Sequence, residues 1–523
     1  MTEPMDALLL FPPSLESYGM PEIALPRLQA WLRAHGHRVR QVDLNAEYWN
    51  RYLFEDEAFP AFLERLASLV RGCANDVLYR SVREVLRSIA EKRPLAEIRN
   101  AVRENRREVF LFVFERTRFR RLDRDALERA LGAPDPLLAR FLDRRLAQIA
   151  AQATPRVVGL SVISPQQVPQ AIEVARRARQ LWPHAFIVVG GPWVKLGRDL
   201  LTDPRYGFLF DWFDAMVTGD GEEPLLGLVA RAEGLVPLDV PNLVVRRDGV
   251  PVATAPKRAL PLSALPDPDF DGIEFDLYTD PFVPVERASL CYWRRCVFCW
   301  HNHPDRGADL LPPEVVAARV ERHVRTTGIR RISFIDNAVT GPYMRDLAHA
   351  ILKRGLDIEW AMQARFEPDF LDPAYGRTLA RSGCRLVFFG LETSDAASLR
   401  RFRKGIRIES VPGILARCHE AGIGVALYLM VYPGQTREDF EATLQFCLGL
   451  REYIQVPIVQ RFLLNRNCIS YDQPGRLGIR PLPIQEPVVL DFFDLPYESE
   501  QGMLDDTFIE AATRRFGRRL REH

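Results

Sequence analysis

Near-continuous apolar runs of strand length alternate with amphipathic helices in two separate parts of this chain, and no other feature restricts the fold as much. In the first part, RVVGLSVIS precedes VPQAIEVARRARQLWPH, FIVVGGPW follows, and DAMVTGDGEEPLLGLVARA reads as strand, glycine loop and helix. A strand that is apolar on both faces has to be covered on both, which a parallel sheet with crossover helices achieves. The opening segment fits the same pattern: DALLLFPPS as a strand, a helix over roughly Ile23–Gly36, and HRVRQVDLN as a strand. Gly36 stands where a helix C-cap is expected.

Residues from about 50 to 150 differ. Arginine is frequent, glycine is scarce, and apolar residues recur at helical spacing, as in DALERALGAPDPLLARFLDRRLAQI. They read as an all-helical insertion whose basic stripes are solvated faces, because acidic residues are interleaved with them. Residues 1–238 are therefore expected to form a doubly wound, Rossmann-like α/β domain carrying this insertion. Ligands of such sheets bind beyond the carboxyl ends of the strands, where VIS, GGPW and TGDGEE all fall.

Residues 239–282 are rich in Pro and Asp (ALPLSALPDPDFDG) and read as a linker. Over 283–470 the alternation resumes, with PVERASL, RRISFID, IEWAMQA, RLVFFGLE, GVALYLMVY and VPIVQRFLL as strands. Between them, PPEVVAARVERHV has Pro where a first helical turn tolerates it, SVPGILARCHEAG ends in a glycine cap, and Thr436 with Asp439 forms a capping-box pattern. The expected architecture is a partial (β/α)6 barrel with its site at the carboxyl ends of the strands. Residues 471–523 form a C-terminal extension.

At 523 residues the chain is too long for one core. Apolar residues make up 47% and charged residues 27%, the balance of a soluble globular protein. Seventy Lys and Arg against 69 Asp and Glu leave a formal net charge of +1, which gives no global electrostatic case for nucleic acid or an anionic membrane. MTEPMDALLLFPPS has a short apolar run without a basic n-region, so no secretory leader is expected. VFLFVF and IGVALYLMVY are too short to span a bilayer and read as core. Mostly solitary cysteines fit a reducing compartment, and the expected location is the cytoplasm.

Three of the eight cysteines break that solitude: Cys291, Cys296 and Cys299, in SLCYWRRCVFCWHNH at the end of the first barrel strand. Three readings are open for them. They are a chance cluster on a surface loop, a structural zinc site with His301 or His303 as fourth ligand, or the ligands of an iron–sulfur cluster. A cluster held by three thiolates keeps one iron open for a small-molecule ligand, which would mean chemistry at the metal. The other cysteines, Cys384 and Cys418 among them, fall on apolar faces and read as small buried hydrophobes.

The segment 284–470 resembles the barrel of radical S-adenosylmethionine (SAM) enzymes, on the triplet with Phe298 before its third cysteine, on FFGLETSD and on MVYPGQTREDF. Segments 6–48 and 155–232 resemble the cobalamin-binding domain of the cobalamin-dependent class of those enzymes, on FPPS and on GGPW followed by VTGDGEEPLL. Two departures stand out. Four residues separate Cys291 from Cys296 where the family has three, and there is no Asp-x-His-x-x-Gly, so no histidine is marked as a lower ligand to cobalt.

The resemblance implies three cofactors: a 4Fe-4S cluster on Cys291, Cys296 and Cys299, SAM on the open iron, and cobalamin. It implies that Glu392 meets the SAM amino group, although a helix-start acid would read alike. Gln363 and Arg365 would face SAM or substrate, with a plain salt bridge as the alternative for Arg365. Asp336 lies at the same barrel edge, where an Asx-turn is the alternative, and Gly434 suits a tight turn near adenine. Trp293, Trp300, His301 and His303 would shield the cluster loop. For cobalamin, Ser161 and Ser164 would bond its nucleotide tail, Gly190 and Gly191 would let the backbone approach it, and Gly219, Gly221 and Glu222 would form a third wall.

The implied activity is methyl transfer to an unactivated carbon of a natural product or peptide. The implied partners are a small-molecule or peptide substrate and an electron donor such as flavodoxin or ferredoxin. Two alternatives remain at this point: the same cofactors used for cyclisation or rearrangement, and a non-catalytic zinc- or cobalamin-binding module.

Overall fold

A computed structural model describes residues 3–14, 19–70, 80–118, 122–230, 239–301 and 309–521. The chain divides into two compact units. The first comprises Met1–Arg258, Pro266–Pro281 and Gln485–Phe492; the second comprises Ala259–Leu265, Phe282–Ile484 and Phe493–His523.

The first unit is built on a seven-stranded sheet of β1 (Glu3–Phe11), β2 (Val39–Asp43), β3 (Ala153–Ser161), β4 (Phe186–Gly190), β5 (Ala215–Val217), β6 (Leu243–Arg247) and β7 (Val250–Ala253), ordered β2-β1-β3-β4-β5-β6-β7. Pairing is parallel from β2 to β5 and antiparallel at β5/β6 and β6/β7. Ala7, Leu9 and Phe11 of β1 pack with Val157 and Val188 and with Leu225, Leu228 and Val229 of the helix Glu222–Val229. This core makes the strands apolar along nearly their whole length. The helix Ala24–Ala34 is followed by Gly36 at φ 84°, a left-handed turn that glycine adopts without strain.

The insertion is helical as its periodicity indicates, with helices Phe59–Val70, Arg80–Ala90, Leu95–Glu104, Arg106–Thr117, Arg124–Gly132 and Pro136–Ala150. Val109, Phe110, Phe112 and Val113 are buried. Its arginines pair with acids: Arg145 grips Glu47 at 2.6 and 2.7 Å, and Arg144 grips Glu55 at 2.6 and 2.8 Å.

The stretch 239–282, expected to be a linker, contains two strands of this sheet. Asp248 (φ 50°) and Gly249 (φ 82°) form the two-residue turn of a hairpin between β6 and β7, a conformation Asp-Gly favours. Residues 266–281 also pack within the first unit: Gln41 Nε2 donates to the carbonyls of Asp269 and Asp271 at 2.7 and 2.8 Å.

The second unit holds six parallel strands, β8 (Val283–Val285), β9 (Arg331–Phe334), β10 (Glu359–Ala364), β11 (Cys384–Glu392), β12 (Gly424–Val431) and β13 (Val456–Arg461), in the order β13-β12-β11-β10-β9-β8. Each follows its neighbour in sequence, as in a partial barrel. The capping box of Thr436 and Asp439 opens the helix Arg437–Gly449, and Pro313 opens the helix Pro313–Thr327. IGVALYLMVY is strand β12 and its approach. Among the described residues no helix is long and apolar enough to cross a membrane.

Candidate active site

The loop after β8 carries the three cysteines. All three are half-buried thiols outside any disulfide. Burial pushes the Cys296 thiol up, offset by the charges of Lys404 and Arg365, while burial and the neighbouring Cys296 push Cys299 up. A thiol in that setting needs a positive partner to ionise, and a bound metal centre supplies one. The donor set therefore fits an iron–sulfur cluster: three thiols on one loop, with the charges of Lys404 and Arg365 favouring the thiolate of Cys296 against burial. In the form described, no three His, Cys, Asp or Glu side chains among the described residues stand grouped closely enough to hold a single metal ion.

Backbone contacts fix this loop from several elements. Tyr292 N–H donates to Ala338 O at 3.2 Å, Val297 N–H to Phe402 O at 3.0 Å, and Ser470 N–H to Val297 O at 2.9 Å. Cys468 donates its S–H to Phe298 O at 3.2 Å. The His301 ring stacks on Trp300 at 3.9 Å, and its backbone N–H bonds the Cys299 sulfur. His303 lies outside the described residues.

Glu392 ends β11 at φ 67°, where the pairing with β12 shifts register. Its carboxylate accepts from Lys404 Nζ at 2.6 Å, and both side chains are about nine-tenths buried. Gly390 makes the pair possible, because a Cβ there would sit 2.6 Å from Nζ and 2.7 Å from the Glu392 carboxylate. The next helix, Ala396–Arg401, is capped by Asp395, so Glu392 is not a helix-start acid. Against the cost of burial, Glu392 and Cys296 raise the Lys404 ammonium pKa and keep it protonated.

Asp336 follows β9 and makes its contacts with a core residue. It is locked to the fully buried Arg287, whose backbone N–H donates at 2.8 Å and whose Nε lies 3.1 and 3.0 Å from its two oxygens. That guanidinium also lies 4.6 Å over Phe334 and 2.7 Å from the Met344 sulfur. Asp336 thus serves as the counterion of a core arginine. Gln363 is half-buried on β10 opposite Phe388. Arg365 is buried, bonds Glu367 through Nε at 2.9 Å, lies 3.8 Å over the Trp293 ring and keeps Nη1 without a partner. Gly434 takes φ 74° beside Gln501, a true tight turn.

In the first unit, Ser161 ends β3 with a buried Oγ that has no partner, and Gln170 Oε1 on the following helix is likewise buried and unpartnered. Ser164 caps its turn through Gln166 N–H at 3.2 Å. The glycines make room for protein: Gly191 (φ 99°) lets Val162 O come within 2.5 Å of where a Cβ would be, Gly190 faces Val217, Gly219 faces Asn242 and Gly221 faces Leu28. Glu222 pairs with Arg27 at 2.5 Å. Of the seven positions, Ser161 alone offers a buried donor with nothing to bond, which fits a polar ligand beyond β3.

The patterns match known families. The Radical SAM superfamily model matches residues 289–447, and the B12 binding domain model matches residues 133–229. The chain is a cobalamin-binding domain fused to a radical SAM domain. It is a radical SAM enzyme, and its cofactors are those of the two domains: a 4Fe-4S cluster, SAM and cobalamin.

An uncharacterized methyltransferase of Pyrococcus horikoshii is 26% identical over 332 residues, 60% of this chain and 68% of that protein. The hopanoid C-3 methylase of Methylococcus capsulatus is 25% identical over 58% of each chain. The anaerobic magnesium-protoporphyrin IX monomethyl ester cyclase of Rubrivivax gelatinosus is 22% identical over 55% of this chain and 53% of its own. The chain thus spans from 53% to 68% of the length of these relatives. In fold, this cobalamin-dependent radical SAM chain is similar to the methyltransferase TsrM of Kitasatospora setae, with TM-score 0.58, 16% identity and coverage of 92% of this chain and 79% of that one. It is also similar to OxsB, with TM-score 0.53, 14% identity and coverage of 87% and 53%.

Lys404 and Arg287 were missed in the sequence. Lys404 had one signal, the Lys-Gly pair after a helix that follows FFGLE; Arg287, which follows Glu286 just past the end of β8, had none.

Proposed function

We propose that this enzyme transfers a methyl group to an unactivated carbon of a small-molecule or peptide substrate. The reading is carried by the joining of a cobalamin-binding domain to a radical SAM domain, together with methyltransferase and methylase among the names of its curated relatives. When bound, the cluster and SAM supply a radical and cobalamin supplies the methyl group. The chain's own part is to hold and orient. Cys291, Cys296 and Cys299 hold the cluster, Glu392, held in place by Lys404 Nζ, receives the SAM amino group, and Arg365 offers Nη1 to an anionic group. Ser161 donates to the cobalamin tail. An external one-electron donor of the flavodoxin or ferredoxin kind completes the cycle.

The test is anaerobic turnover with methyl-labelled SAM and a panel of candidate substrates. Label on carbon in the product supports the reading; consumption of substrate with no label in any product overturns it. Cyclisation is the second reading, favoured by the similarity to the Rubrivivax gelatinosus cyclase, and it gives an unlabelled product changed only in its ring count.

A further inference from the structure

The four-residue spacer between Cys291 and Cys296, Tyr292-Trp293-Arg294-Arg295, is one residue longer than the family pattern, and the fold seats it elaborately. Trp293 is gripped on several sides. The guanidinium of the buried Arg365 lies 3.8 Å over its ring, and that of Arg295 lies 5.1 Å from the ring centre. The indole N–H donates to Arg403 O at 2.8 Å. The ring edge fills the space over Gly405 (φ 69°), where any Cβ would run into it. Beside it, the Tyr292 hydroxyl bonds Glu367, the same carboxylate that receives Arg365 Nε. Directly after the tryptophan, Arg294 takes φ 48°, a left-handed conformation costly for a non-glycine residue.

These contacts have a common consequence. The left-handed residue takes up the additional length as a local turn, and the seated indole prevents that turn from relaxing. The carboxyl end of β10 (through Arg365 and Glu367) and the Arg403–Gly405 turn are thereby tied to the backbone between the first two cysteines. We propose that Trp293 and Arg365 are positioning residues of the cluster loop: the indole, clamped beneath Arg365, sets the separation of Cys291 and Cys296 and so compensates for the longer spacer. This rests on the three cysteines holding the cluster.

The test compares Trp293→Ala, Trp293→Phe, Arg365→Met and a deletion of Arg294 with the unmodified chain and a Cys296→Ala control, all reconstituted anaerobically with iron and sulfide. The readouts are iron and sulfide per chain and the electron paramagnetic resonance spectrum of the reduced cluster before and after SAM is added. Trp293→Ala and Arg365→Met are expected to lose the SAM-induced spectral change or to weaken SAM binding by about tenfold or more, the scale of losing a tight supporting contact to a metal site. Trp293→Phe, which keeps a ring beneath Arg365, recovers most of it. Deleting Arg294 restores the family spacing yet pulls the indole from its seat, so it is expected to assemble less cluster. Wild-type spectra and SAM response in both Trp293→Ala and Arg365→Met would overturn the proposal; if Trp293→Ala does not fold, Arg365→Met decides by its iron and sulfide per chain, which loss of a direct contact between Arg365 and an anionic ligand would leave unchanged. An unaltered cluster in Cys296→Ala would instead overturn the assignment of the ligands.

Discussion

Lys404 and Glu392 form an ion pair of 2.6 Å in which both side chains are about nine-tenths buried, over a glycine that leaves no room for any other residue. Removing one partner of such a pair leaves the other charge buried and alone, which costs about 3–5 kcal/mol. Lys404→Met is therefore expected to lower the denaturation midpoint markedly. The double variant Lys404→Met/Glu392→Gln is expected to recover part of the loss, with a coupling of about 1 kcal/mol or more in the cycle. Additive losses would mean that the two groups do not act as a pair.

The Arg287–Asp336 pair gives the same kind of prediction with a fuller rescue, because its surroundings are apolar. Phe334, Met344 and Met362 enclose the guanidinium. Asp336→Ala strands a fully buried cation and is expected to cost about 3–5 kcal/mol, whereas Arg287→Met/Asp336→Leu, which removes both charges, is expected to restore most of that. SAM binding by the double variant, measured by calorimetry on reconstituted protein, should match the unmodified chain. A specific loss of SAM affinity at restored stability would place Asp336 in the cofactor site.

What could be read from residues alone was what depends on near neighbours. The barrel strands were legible because burial on both faces writes a continuous apolar run, and the Thr436–Asp439 cap was legible because its partners lie three residues apart. Asp248-Gly249 carried a strong hairpin signal that the proline-rich composition around it obscured. Pairings set by strand register were hidden. Lys404 meets Glu392 across twelve residues only because a register shift follows Gly390, and Arg287 meets Asp336 across forty-nine because β8 pairs with β9. The glycines after β4 and β5 mark close approaches, and a sequence does not say whether protein or ligand makes the approach.

Ser161 separates those two possibilities. Its buried hydroxyl has no partner in the described protein, so Ser161→Ala removes an unsatisfied group and should leave the stability of the cobalamin-free chain unchanged or slightly higher. If that hydroxyl bonds the cobalamin tail, the same variant binds hydroxocobalamin about 5- to 15-fold more weakly, the worth of one hydrogen bond of about 1–1.5 kcal/mol. Titration followed by absorbance measures it. Unchanged affinity would remove Ser161 from the cobalamin site.

The last prediction concerns pH. Burial, reinforced by Asp43, pushes Glu22 up to about 7 from 4.5, and burial pushes Asp43 up to about 6 from 3.8 despite hydrogen bonds from the Tyr278 hydroxyl (2.6 Å) and Ala46 N–H (2.8 Å). Glu47, itself bound to Arg145, adds repulsion at Asp43. Both carboxyls hold their protons more tightly folded than unfolded. Their contribution to stability is therefore fully present below about pH 4, falls as pH rises through 6 and 7, and is flat above that. The urea midpoint of Glu22→Gln/Asp43→Asn, which keeps the neutral form throughout, should rise relative to the unmodified chain between pH 4.5 and 7.5. A difference between the two that stays constant over that interval would mean that neither carboxyl is held neutral by the fold.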